Sequence, residues 1–268
     1  MIHLSSLDLS LAALLVVLLA ITTRLVYPQL AGQLLVAALR TVIQLLLIGL
    51  VLKALFASAS LLWVIGLSAF MLLVAGREVM ARQHRRFSGR WGYSIGLLSM
   101  FISSFSVTLF ALLVVVRNEP WYQPQYAIPL LGMLLGNTMN GIALALDRLT
   151  QLAWDQRPVI EARLMLGHSA KQAIADIRRQ VFRTGMIPII NAMAAAGIVS
   201  LPGMMTGQIL AGAPPVETVK YQILIMFLIA AGAGFGTLAA VRLGVYRLFD
   251  DRQRLRLERL SLVATKTK

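Results

Sequence analysis

Long apolar runs, each about the length of a bilayer crossing, alternate along this chain with stretches rich in arginine and lysine. A spanning helix needs about 20 mostly apolar residues, because the hydrocarbon core is ~30 Å thick and the rise is ~1.5 Å per residue. Seven runs meet that length, at 7–23, 33–52, 55–75, 91–116, 126–146, 184–211 and 221–241. The first is short; the sixth is long and interrupted by Pro188 and Pro202. The pattern predicts an all-α, polytopic membrane helical bundle of about seven transmembrane helices, with 1–268 as one transmembrane domain.

The basic residues orient that bundle. Arg77, Arg82, Arg85, Arg86 and Arg90 lie after the third run, seven Lys and Arg lie in 147–183, and eight follow in a tail from Arg242. The intervening loops 117–125 and 212–220 are poor in charge. Basic residues gather at the cytoplasmic ends of membrane helices. With helices alternating in direction, all three basic regions fall on the cytoplasmic side, which places the N-terminus outside and the C-terminus inside.

Composition agrees with lipid as the main solvent. The 268 residues are 58% hydrophobic and only 13% charged, with a formal net charge of +14. A soluble domain carries about a quarter charged residues. A strongly basic chain invites a nucleic-acid reading, but 20 of the 25 Lys and Arg sit in the three flanking stretches, so no nucleic-acid partner is expected. With no cysteine, disulfides, thiolate metal sites and cysteine nucleophiles are excluded. The first run lacks a basic n-region and Asp8 precedes most of it, so it reads as a retained helix rather than a cleaved signal peptide. The location expected is a cell inner (plasma) membrane.

The longest hydrophilic stretch, 147–183, exceeds what a connector between antiparallel helices needs. Pro158 suits the first turn of a helix, Leu164, Ala173, Ile174 and Ile177 give a partial apolar stripe, and Gly167 permits a turn before Ser169. A helix–Gly–helix unit along the membrane surface fits this spacing. Glu161-Ala162-Arg163-Leu164-Met165-Leu166-Gly167, followed ten residues later by Ile177, resembles the EAA loop of ABC permeases. That resemblance implies a coupling helix seated in a groove of an ATPase subunit, with Glu161, Ala162, Gly167 and Ile177 as the docking positions. Arg163 stands where a second alanine is usual, and Arg179-Gln180 where Leu-Pro usually closes the motif.

A wider resemblance covers nearly the whole chain. Ala38-Leu39-Arg40 to Gln44, Gly132-Met133-Leu134-Leu135-Gly136-Asn137-Thr138-Met139, Val199-Ser200-Leu201-Pro202-Gly203-Met204-Met205-Thr206-Gly207 and Val219-Lys220-Tyr221-Gln222-Ile223 look like the FetB/YbbM family. This implies an ABC-type iron export permease, paired with a separate ATPase and present as two copies. Plant relatives are associated with aluminium tolerance, so the metal substrate, as ion or complex, stays open.

Polar residues within the runs are the candidates for a translocation path, because a charge at mid-span costs at least ~2.5–3.5 kcal/mol. Gln33, Arg40 and Gln44 share one helical face. Arg40 either lines the path or snorkels to the headgroups from a depth of roughly 10 Å. Asn137 and Asn140, flanked by Gly132, Gly136 and Gly141, either line the path or hydrogen-bond across a close helix contact. Ser99, Ser103 and Ser106 form a stripe with the same packing interpretation. Pro202-Gly203 is expected to break the sixth run, and broken helices at depth often line cavities. Met204, Met205 and Gln208 follow at once. Thioethers suit soft cations better than iron, and methionine also fills irregular packing. No histidine lies within a run, so no metal cage is visible and the metal ligands stay unknown.

No G-x4-G-K-[S/T] occurs, so no ATP hydrolysis by the P-loop route is expected of the chain itself. H-E-x-x-H is also missing, and no catalytic residue or cofactor is expected. The runs carry no buried Asp or Glu for a proton or sodium relay. A secondary transporter or channel working without ATP remains the alternative.

Overall fold

The computed structural model describes residues 5–58 and 60–262. The last residues of the basic tail, among them Lys266 and Lys268, lie outside that range. Contacts divide the chain into two compact units, one ending at Ser60 and one beginning at Leu61.

The first unit is a helical hairpin, α1 (Ser6–Val26) and α2 (Pro28–Ser58), with Tyr27 as the hinge. Ser5 and Asp8 form a reciprocal capping box at the start of α1, so Asp8 satisfies donors at the helix end. Pro28 opens α2, where its missing N–H is no loss. Inside the apolar helices Thr22 and Thr23 donate to Leu19 O, and Thr41 to Ala37 O. Each hydroxyl is thereby satisfied by its own helix, as a low-dielectric setting requires.

The second unit holds α3 (Leu61–Ala81), β1 (Arg85–Phe87), α4 (Arg90–Met100), α5 (Ser106–Phe110), α6 (Pro124–Asp155), α7 (Arg157–Met165), α8 (Ala170–Ala173), α9 (Ala175–Ala195), α10 (Gly203–Leu210), α11 (Pro215–Leu248) and β2 (Leu260–Leu262). α4 and α5 belong to one rod, Arg90–Val116, interrupted by π turns at Phe101–Phe105 and Ala111–Val116. The core lies where α6 crosses α3, α9 and α11. Ile142, Leu146, Leu149, Val181 and Leu248 are fully buried there.

The chain is an all-α, multi-pass membrane protein. Among the described residues six helices are long and apolar enough to cross a bilayer, not seven. The exception is 184–211. α9 ends at Ala195, Gly197 turns in the left-handed region, and the chain re-enters a helix only for the eight residues of α10. Eight residues rise ~12 Å, well short of the ~30 Å core. Pro188, by contrast, stays inside α9; the break comes instead at Gly197 and Pro202. The second and third runs also meet later than expected. Lys53 continues α2, and the boundary falls after Ser58.

The tail is not a loose basic arm. β2 pairs antiparallel with β1, Arg86 opposite Ser261, and Phe249 and Leu257 pack into the core. Asp250 organises this turn, accepting from the backbone N–H of Arg252 and Arg254 and pairing with the side chains of Arg254 and Arg256. The Arg254 N–H, chiefly, holds the Asp250 carboxyl down at about 2, against an ordinary 3.8. The folded value is the lower one, so the contribution is complete above pH 3.8 and is lost as pH falls from there towards 2. Asp250→Asn is expected to speed amide exchange across Leu260–Leu262 at neutral pH while the long helices stay protected. Unchanged exchange would show that the turn holds without this carboxylate.

Candidate functional site

The stretch 147–183 is built from local rules. Pro158 lies in the first turn of α7, where helices tolerate it. Gly167, at φ +86°, ends the helix: its N–H donates to Leu164 O, and that of His168 to Arg163 O. This is the Schellman arrangement, which favours glycine because a Cβ is strained at that φ. Ser169 and Gln172 then cap α8 reciprocally.

Arg163, the departure from the usual alanine, braces the unit. Its guanidinium donates to Ala173 O at 3.2 Å and to Asp176 at 2.9 Å, tying α7 back onto the start of α9. The Arg179 and Arg163 guanidinium groups together hold the Asp176 carboxyl below its usual range. Ala170 N–H donates to Gln253 Oε1, which anchors the segment to the folded tail. Two further ties come from His84 and from Arg85 at the start of β1. His84 N–H donates to Asp147 at 2.7 Å, and Arg85 lies 4.1 Å over the ring of Trp154.

The four positions expected to dock a partner separate into two groups. Glu161 is half-buried and bound to Arg157 at 2.8 Å, and Ala162 and Gly167 are exposed. Ile177 is only 4% exposed and lies in the core, so it can set the segment's angle but cannot itself touch a partner. Met165 and Leu166, beside Gly167, are 82% and 78% exposed. Neither is among the positions that the loop resemblance implies, although two large apolar residues before a helix-ending glycine are a usable signal.

Each unit carries membrane-path candidates of its own. In the hairpin, Arg40 and Gln44 are both exposed on α2. Because α2 starts at Pro28, Arg40 stands about 18 Å along the helix, deeper than a start at 33 implied. In the second unit Asn137 and Asn140 are exposed on one face of α6. Asn137 donates to Met133 O within its own helix, and Asn140 accepts from Arg82. On α10, Met204 is exposed and Met205 and Gln208 are half-buried, with α10 packed against α11.

Two of the three glycines flanking the asparagines stand at close contacts, Gly141 and Gly132, where a Cβ would lie 3.2 Å from Met71 Cε. A Cβ at Gly136 would meet nothing within 4 Å, whereas one at Gly141 would stand 2.9 Å from Gly185 O. The serine stripe is also split. Ser99, Ser103 and Ser104 are buried while Ser106 is exposed, because the π turn at 101–105 shifts the register that a 3.6-residue repeat assumes. Among the described residues no three His, Asp or Glu side chains cluster as a metal site.

The model of an uncharacterised protein family, UPF0014, matches residues 6–249. The UPF0014 membrane protein slr1647 of Synechocystis is 40% identical over 85% of this chain and 87% of its own length. Protein ALUMINUM SENSITIVE 3 of Arabidopsis thaliana is 33% identical over 87% of this chain and 83% of its own. The Escherichia coli protein named probable iron export permease protein FetB is 33% identical over 81% of each. No solved structure gives a significant match.

Proposed function

Because the chain belongs to the UPF0014 family of membrane proteins, we propose that it is the membrane-spanning permease subunit of an ABC-type transporter. A separate cytoplasmic ATPase drives it, two copies of the chain complete the path, and the cargo is iron or a related metal species. One observation carries this reading: the exposed Met165–Leu166 tip at the Gly167 turn. Large apolar side chains held out from a rigid, basic membrane face are what a protein groove would bury. Arg163 and Gln253 hold that tip against the core, so a push on it is passed to α9 and α11 rather than absorbed by a loop.

The open face of α6 supports the dimer. Amide side chains are costly against hydrocarbon, yet Asn137 and Asn140 are exposed on a helix long and apolar enough to cross the bilayer. A second copy placed against this face would cover both and leave a polar seam for the cargo. The iron assignment leans on the name of the E. coli relative, and direction follows from it.

The test is co-purification of this chain, gently solubilised from its own host, followed by identification of bound nucleotide-binding subunits. A stoichiometric ATPase whose hydrolysis rises with added iron is the expected result. No ATPase in several detergents, with iron flux persisting in proteoliposomes of the chain alone, would favour the ATP-independent transporter instead. Within the complex, Asn137→Leu with Asn140→Leu is expected to abolish iron-stimulated hydrolysis while the ATPase stays bound. Unchanged stimulation would remove these two residues from the path.

A further inference from the structure

Beside the α4–α5 rod, a groove of about 620 Å³ runs along α11. Its walls are almost wholly apolar, with Val107, Phe110, Phe235 and Leu238 among the lining residues and Arg242 as its one charged residue. A second pocket, of about 720 Å³, includes Lys171, Arg178, Tyr246 and the same Arg242. Arg242 lines both, so the cleft around it is oily on one side and cationic on the other. Arg242 follows directly on the apolar stretch 221–241, at the end of the bundle where the basic stretches lie. An arginine at that point sits at headgroup depth.

The charges in the pocket do not cancel. Asp250 lines it too, but that carboxylate is held by Arg254 at 2.8 Å and Arg256 at 3.2 Å. Among the described residues no carboxylate pairs with Lys171, Arg178 or Arg242. Asp251 alone stands against these three cations. Tyr246 is exposed at the same level, as aromatic rings at membrane interfaces commonly are.

We propose that this cleft binds an anionic glycerophospholipid, its phosphate against Lys171, Arg178 and Arg242 and an acyl chain along Phe110, Phe235 and Leu238. Neither half explains the other unless a single ligand is charged at one end and oily beyond it. A soluble phosphate would use the pocket and leave the groove idle; a neutral lipid would do the reverse. Because Lys171 lies on α8 and Arg178 on α9, the headgroup would bridge the docking segment to α11. Lipid occupancy would then stiffen the same connection that a partner ATPase would load. The site needs only the membrane setting and stands apart from the transport reading.

Native mass spectrometry of the purified chain in detergent supplies the test, with phosphatidylglycerol and phosphatidylcholine of equal chain length as probes. Phosphatidylglycerol is expected to be retained about tenfold better, since each basic residue near a surface adds a few-fold to anionic lipid binding. Arg178→Ala with Arg242→Ala is expected to erase that preference. Ala239 also lines the groove, and Ala239→Trp, which fills it, is expected to lower retention of phosphatidylglycerol with the cations intact. Thermal unfolding of each variant checks that it is folded; Arg178→Gln with Arg242→Gln replaces the alanine pair if that one is not. Equal retention of the two lipids, or full retention by a folded double variant, overturns the proposal. So does displacement of the lipid by millimolar inorganic phosphate, which would mark a soluble-anion site, or cross-linking that places a second copy in the groove.

Discussion

Gly236→Ala is expected to lower the thermal unfolding midpoint by roughly 5–10 °C, whereas Gly136→Ala leaves it where it was. A Cβ at Gly236 would stand 2.5 Å from Thr138 Cγ2, 2.8 Å from Ser103 Oγ and 3.2 Å from Ile142 Cδ1. All three neighbours are buried. Thr138 and Ile142 are β-branched and cannot turn aside cheaply. The helices must instead part, and overpacking of this kind costs about 1–3 kcal/mol. Gly185→Ala tests the other side of the same seam, because its Cβ would meet Thr237 Cγ2 at 2.7 Å and the backbone oxygen of Gly141 at 2.8 Å. A backbone atom cannot swing away, so the same direction is expected there. Differential scanning fluorimetry in one detergent would measure all three. A Gly236→Ala protein melting like the parent would mean that α6 and α11 do not approach this closely.

Met165→Asp with Leu166→Asp is expected to abolish co-purification of the ATPase while leaving the melting temperature unchanged. Both side chains are almost fully exposed, so the fold loses little when they change. A buried contact with a partner would lose its apolar anchor and gain two carboxylates without partners, an effect on the scale of an interface hot spot, about 2 kcal/mol or more. Ile177→Ala should behave differently, because that side chain lies in the core. It is expected to cost about 2–5 kcal/mol of stability and to weaken docking only through that loss. The contrast separates contact from support. If the double aspartate variant still carries its ATPase, the tip is not where docking occurs.

Much of this protein was readable along the chain. Six of the seven apolar runs are helices long enough to cross the bilayer, since length and apolarity are one-dimensional properties that the bilayer thickness fixes. The helix–Gly–helix unit of 157–173 was equally legible. A proline in the first turn, a left-handed glycine and a serine cap each act within a few residues, so their spacing is the structure. The Leu255, Leu257, Leu260 and Leu262 pattern in the tail also carried a signal, near-alternation with charges, which the basic count concealed.

Other features depended on residues far apart in sequence. Asn140 meets Arg82, Asp147 meets His84, and Leu260 pairs with Phe87; nothing local marks these partners. Which glycines sit at the crossing was likewise hidden, because Gly136 and Gly141 look alike until α9 and α11 are laid against α6. The serine stripe failed for a similar reason, as π turns moved Ser106 off the buried face. What the sequence by itself determined is six membrane-length helices and the helix–Gly–helix segment, because solvation and capping act over one turn or one bilayer thickness. What only the tertiary structure decided is which side chain each helix face meets, because close packing depends on the rotation and distance of neighbouring helices, and no single stretch of chain contains either.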